Sequence, residues 1–335
     1  MKKRCLAALA ACALALFAVG CSSEPEEEPS LWKIEHGVLI RYEGTDEQVT
    51  IPAEVKEIRA DAFKGRTTLK CVRIPASLEE TRFDGILKEC ETITRVEFLD
   101  GVKSIGEEAF TGCSNLSSVS ISGSVTSIGK KAFNGCKNLT GVTIGDGVKS
   151  IGESAFEGCS KLTGVTIPGS VESIGDSAFS GCMGLTGVTI PSSVERIGEY
   201  TFFRCTSLTD LAIGDGVKSI GEYAFCNCKS LTSVTIPGSV ERIERRAFDG
   251  CSKLTDVTIS DGVKSIGTFA FDNCSKVTNV TIPVSVTEIW YNAFVASYNV
   301  EVRYGGTKAQ WEHINIGDLG FAHMIIHCTD GDITY

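Results

Sequence analysis

The chain has only four histidines in 335 residues and no H-E-x-x-H, G-x-S-x-G or phosphate-loop signature. The usual marks of zinc hydrolases, serine hydrolases and nucleotide-phosphate sites are therefore missing. A C-x-x-C pair is missing too, although cysteines number 15, so the commonest ligand spacing of a zinc site is not available. Positive charge is in short supply, since 32 Lys and Arg against 42 Asp and Glu leave a formal net charge of −10. Nucleic acid and an anionic membrane face are poor partners for that balance. No cofactor or metal is expected, and no enzymatic activity.

What the chain has is a period. Cysteine returns every 23 residues from Cys90 through Cys113, Cys136, Cys159, Cys182, Cys205, Cys228 and Cys251 to Cys274, and phenylalanine keeps the same step from Phe110 to Phe294. A fixed period of this length means a solenoid, in which each unit buries its apolar side only against its neighbours. Within one copy, Leu162, Val165 and Ile167 read as a short strand, with Thr166 facing outward between two inward residues. Pro168-Gly169-Ser170 ends it, because proline donates no ladder bond and Gly-Ser favours a turn. Val171, Ile174, Ala178 and Phe179 then suit a turn, or a scrap of 3₁₀ or α-helix, returning along the other side. Seven apolar side chains do not offset the ordering of 23 residues, so one coil cannot fold alone. A stack can.

The pattern L-x-x-V-x-I-P-x-S-V-x-x-I-G-x-x-A-F-x-G-C resembles the bacterial BspA-like leucine-rich repeats, over roughly residues 50 to 295. The resemblance implies a repeat solenoid with a parallel β-sheet on one side and turns or short helical segments on the other. It also implies a surface-exposed protein used in adhesion to host matrix or to other microbes.

Residues 1–20 have a basic start (Lys2, Lys3, Arg4) and an apolar run from Cys5 to Val19, as in a secretory signal. Ala18-Val19-Gly20-Cys21 resembles a bacterial lipobox, which implies lipidation at Cys21; the alternative is an ordinary secretion signal cut nearby. Removing Lys2, Lys3 and Arg4 with the signal lowers the formal net charge from −10 to −13. Residues 21–30 are acidic and proline-containing and read as a disordered tether. Residues 31–50 look like a capping hairpin, residues 51–296 are the repeats, and residues 297–335 form a C-terminal cap. The coil around Thr81 to Cys90 is irregular, with Leu87 where phenylalanine is expected.

The cysteine column is expected to be a buried, reduced ladder, because identical positions in parallel coils point their Cβ vectors the same way. Cys71 falls at an outward strand position. Cys226 shares a column with Thr111, Asn134, Glu157, Ser180 and Asp249, so it is expected to be exposed and is the best candidate for a reactive thiol. His323 and His327, with Cys328, are too far apart along a strand to hold one ion. The Gly-Asp-Gly turns at 145–147 and 214–216 lack the alternating ligands of a calcium loop. Glycine after the isoleucine, from Gly106 to Gly267, reads as a turn, since Glu244 and Trp290 occupy the same column.

Two surfaces remain as candidates. The outward strand columns carry Thr143, Thr166, Thr189, Thr235 and Thr258 among small residues, a shallow hydroxyl-rich face without the aromatics that anchor tight complexes. The bland reading is that threonine simply suits a solvated strand. The second surface is Tyr200 and Tyr223 in adjacent coils, with Phe203, Arg204, Arg245 and Arg246 around them, a combination suited to a protein hot spot or to sugar stacking. Scattered surface aromatics are its bland counterpart. The expectation is a single curved solenoid of about eleven coils, exported, lipid-anchored and monomeric, touching the membrane through its lipid alone. It would bind host or microbial proteins without catalysis; the alternative is a glycan-binding or cell-envelope scaffold.

Overall fold

The computed structural model describes residues 31–59, 61–78, 80–81, 92–294, 300–317 and 324–334. The expected leader, Cys21 and the acidic tether lie outside them, as do Leu87, Cys90 and His323. In most coils the V-x-I triplet forms a front strand, as in Ser118–Ile121, where Val119 and Ile121 are buried and Ser118 and Ser120 half-buried on the outer side. Equivalent residues pair in register from coil to coil, Val119 with Val142 and Thr143 with Ser120. The front strands make an eight-stranded ladder from Gln48–Thr50 to Asp210–Ile213, then a six-stranded one from Ser233–Ile236 to Gly331–Thr334.

The far side of the coil differs from a plain run of turns. Two-residue strands such as Ser127–Ile128, Ser150–Ile151 and Ser173–Ile174 pair in parallel into a second, unbroken ladder of eleven strands. Glu57–Ile58 precedes them, giving twelve turns rather than the expected eleven. The added turn lies in the stretch read as a terminal cap. There Glu301–Tyr304 pairs in register with Asn279–Ile282, and Asn315–Ile316 pairs with Glu288–Ile289, although the 23-residue step is lost. The helix Lys308–Glu312, closed by a Thr307/Gln310 capping box, is the one helix among the described residues.

Packing follows the columns. Phe110 through Phe294 stack ring on ring, with centroids 5.1–5.4 Å apart and planes within 11°. From Cys136 to Cys274, each buried thiol donates to the carbonyl of the phenylalanine 26 residues earlier, at 3.2–3.4 Å. The described cysteines are free thiols, and the column is buried as expected. At one end the hairpin Trp32–Glu35/Val38–Tyr42 packs aromatic rings on Phe63, and at the other Trp311 is fully buried against Tyr304.

Candidate functional site: the aromatic and arginine corner

The segment I-G-x-x-A-F-x-G-C turns each coil from its back strand toward the next front strand. Its second x is left-handed in every regular coil: Glu108, Lys131, Ser154, Ser177, Tyr200, Tyr223, Arg246, Phe269 and Asn292 have φ between 53 and 58°. Such a conformation costs a non-glycine residue about 1–3 kcal/mol. What it gains is a hydrogen bond, because the turned N–H meets a carbonyl of the following coil, as in Tyr200 to Glu222 at 2.9 Å and Tyr223 to Arg245 at 3.1 Å. Phe202 and Arg204 donate onward in the same way, to Ala224 and Cys226, so the corner is itself a set of rungs. The glycine column before it has another cause: a Cβ on Gly129 would lie 2.7 Å from the backbone of Gly106.

A second left-handed position follows four residues on. Glycine holds it at Gly112, Gly135, Gly158, Gly181 and Gly250, with φ of 70–74°. In the coil that carries Tyr200 it is Arg204, at φ 57°. Asparagine, found there at Asn227 and Asn273, tolerates this region; arginine is not favoured in it.

The corner brings together all six residues expected there. Tyr200 and Tyr223 stack with centroids 4.8 Å apart and planes 6° apart, and Phe203 meets Tyr200 edge-on at 5.6 Å. Arg204 lies over Phe203 at 5.0 Å, and Arg245 and Arg246 lie over Tyr223 at 5.3 and 5.9 Å. Arg245 also donates to the Tyr223 hydroxyl, which holds its guanidinium above its ordinary pKa. Burial, with Tyr223 alongside, raises the Tyr200 phenol. Arg246 is committed to Asp249 at 2.7 Å.

The cluster also runs further than expected. Arg246 covers the Phe269 ring at 4.8 Å, and Phe269 meets Tyr291 edge-on at 5.7 Å. Trp290 and Tyr291 are 51% and 47% exposed, among the most exposed large apolar side chains. The signal for Phe269 and Tyr291 was the period itself: Phe269 stands two steps of 23 after Tyr223, and Tyr291 two steps after Arg245.

The threonines occupy a separate surface. Thr143, Thr189, Thr235 and Thr258 are exposed on the front strands, and Thr166 is exposed just past the strand Gly164–Val165. A shallow depression of about 530 Å³ lies over Thr166, Gly187, Thr189, Asp210 and Ala212, beside the point where the front ladder is interrupted.

Two thiols correct the sequence reading. Cys226 is buried, 3% exposed, as are Ser180, Asp249 and Asp272 in its column, while Thr111, Asn134, Glu157 and Phe203 there are half-buried. Burial pushes its thiol up to about 11, Asp249 adds to the rise, and Asn227 donates to the sulfur at 3.2 Å. Cys71 is buried as well, where the longer Arg73, Arg95 and Glu97 flank it, and burial raises its pKa too. Neither is a reactive surface thiol. His327 pairs with Asp332 at 2.9 Å, and the described residues contain no group of three or more metal-ligating side chains.

Short parallel strands repeated at every coil, over a core of stacked phenylalanines, define a leucine-rich-repeat β-solenoid. The chain belongs to the family described as the BspA type leucine rich repeat region, with six copies matched over residues 42–84, 83–209 and 195–306. Among solved structures it is similar to a leucine-rich repeat protein from Bacteroides ovatus, at 25% identity over 77% of this chain and 83% of that one, with a TM-score of 0.34. A leucine rich cell surface protein from Faecalibacterium prausnitzii shares 23% identity over 88% of this chain and 99% of its own, with a TM-score of 0.35. A leucine-rich repeat protein of T. pallidum shares 24% over 62% and 90%, with a TM-score of 0.45. No curated protein matches the chain.

Proposed function

We propose that the protein is a non-enzymatic binding protein displayed on a bacterial surface, contacting host or microbial proteins through the corner around Tyr200 and Tyr223. The observation that carries this is Arg204, an arginine in a left-handed position that other coils give to glycine or asparagine, set over Phe203 beside the Tyr200–Tyr223 stack. Strain retained beside clustered aromatics and arginines is what a binding hot spot looks like. Family membership supports the protein-binding class, and the resemblance of residues 1–20 and the following Cys21 to a lipoprotein signal supports export with a lipid as the membrane tie. The protein acts as a monomer in this reading and needs no cofactor, and its acidity disfavours nucleic acid.

Arrays of matrix proteins, bacterial surface proteins and glycans test it. Protein hits lost in Tyr223→Ala but kept when Thr166 and Thr189 become lysine would support the corner. The reverse pattern would move binding to the threonine face. That second reading, glycan binding, is favoured by the depression over Thr166, Thr189 and Asp210. The corner is less suited to sugar, because the facing sides of Tyr200 and Tyr223 cover one another and Arg245 and Arg246 lie over Tyr223. Lipidation is checked by metabolic labelling with a radioactive fatty acid, expected to be lost in Cys21→Ala.

A further inference from the structure

We infer that the occupant of this corner is an extended acidic peptide lying along the solenoid axis, from Phe203 and Arg204 to Phe269 and Tyr291. The inference rests on the corner being the binding surface, and it adds the chemistry of the partner. Three of the five arginines in these coils are already matched with carboxylates: Arg196 with Glu199, Arg242 with Glu244, and Arg246 with Asp249. Arg204 and Arg245 are different. Both are exposed, both lie over an aromatic ring, and neither has a salt bridge to a carboxylate among the described residues. Glu222 is the carboxylate close enough to bias Arg245, and it forms no ion pair with it. Two guanidinium planes held against rings are prepared for carboxylates, which they can grip with two parallel hydrogen bonds.

Spacing favours a peptide over a compact anion. Arg204 and Arg245 are two coils apart along the axis and five positions apart across the corner, so their separation is at least on the order of 10 Å at ~4.8 Å per coil, a span of roughly three or more residues of extended chain. Between and beyond them the rings of Tyr200, Tyr223, Phe269 and Tyr291 run across four coil steps, about 20 Å in all. Their edges and hydroxyls face a partner more freely than their faces do, because the faces are taken up by each other and by arginine. A peptide with carboxylates about three residues apart and apolar side chains between them satisfies both features. Arg-lined recognition of acidic segments is an established mode of peptide binding.

The experiment uses the whole protein and a display library of 12-residue peptides sorted by net charge. Enrichment of peptides with carboxylates three residues apart is expected, with at least a tenfold loss when those are changed to Gln. Arg245→Gln should weaken such a peptide about tenfold, while Lys103→Gln, an exposed lysine more than four coils before Arg204, leaves it unchanged. Arg204→Gly is the decisive variant, because it keeps the fold by restoring glycine to a left-handed position. It should raise Tm while weakening binding about tenfold. Equal enrichment of neutral peptides, an equal response to a uronate oligosaccharide, or unchanged binding in both arginine variants would overturn the acidic peptide. If protein partners are still lost in Tyr223→Ala, the corner survives that result; if Tyr223→Ala changes nothing, the corner falls with it.

Discussion

Burial decides the chemistry of individual residues here more than type does. Cys226 and Asp272 stand in one column, both are buried, and desolvation raises the pKa of both. Treatment of the native protein with a disulfide reagent, followed by peptide mass mapping, should label the half-buried Cys328 well before Cys226. Labelling of Cys226 as fast as a free cysteine would contradict its burial. For Asp272, burial acts first and Asp249 in the preceding coil adds to it, while the Asn273 amides favour the charged form. Its folded pKa is therefore above its unfolded one, so the native state binds the proton more readily. Stability is gained as pH falls through the folded pKa, is complete below the ordinary carboxylate value, and is lost again as pH rises. Asp272→Asn should thus raise Tm by ~2–4 °C at pH 7, with the gain shrinking toward pH 4. A gain that grew on acidification would refute the assignment.

At the scale of the element, each coil depends on its two neighbours. The Phe179 ring stacks on Phe156 at 5.3 Å and on Phe202 at 5.4 Å, so truncation empties the core between two interfaces. Phe179→Ala should cost about 3–5 kcal/mol, and because coupling in a repeat array is nearest-neighbour, calorimetry should show one unfolding transition split into two. A single transition with unchanged Tm would mean that the column is dispensable. The repeat was legible in the sequence because cysteine and phenylalanine mark every coil in step, and the front strand because V-x-I alternates. The Ser-Ile ladder was not, since two residues show no period and their partners come from other coils. Tyr200 and Tyr223 were found as neighbours in one column. Phe269 and Tyr291 were missed because Arg246 and Thr268 interrupt their columns, and only the folded corner bridges those gaps. Cys226 was misjudged because its column is polar in composition, yet at Ser180, Cys226, Asp249 and Asp272 it is buried.

Across the whole solenoid the two ladders are not equally continuous. The back ladder passes unbroken through Ser219–Ile220 and Arg242–Ile243, while the front one is interrupted between Asp210–Ile213 and Ser233–Ile236. Leu211 and Ile213, at that interruption, are only half-buried where equivalent residues such as Val188 and Ile190 are buried. In parallel pairing the N–H groups at alternate positions of a strand point to the same neighbour. Asp256 donates back to Thr232, and by the same phase Ser233 and Thr235 point toward the interruption. Their amides should therefore exchange with deuterium at least tenfold faster than those of Asp256 and Thr258, although Val234 and Val257 beside them are equally buried. Equal protection would mean that the front face is as tightly held as the back. Faster exchange would single out the coil that carries Tyr223, the centre of the aromatic and arginine corner, as the place where front pairing is weakest. A partner bound along the corner would then cross that coil and tie its neighbours together, so the same amides should slow once the corner is occupied.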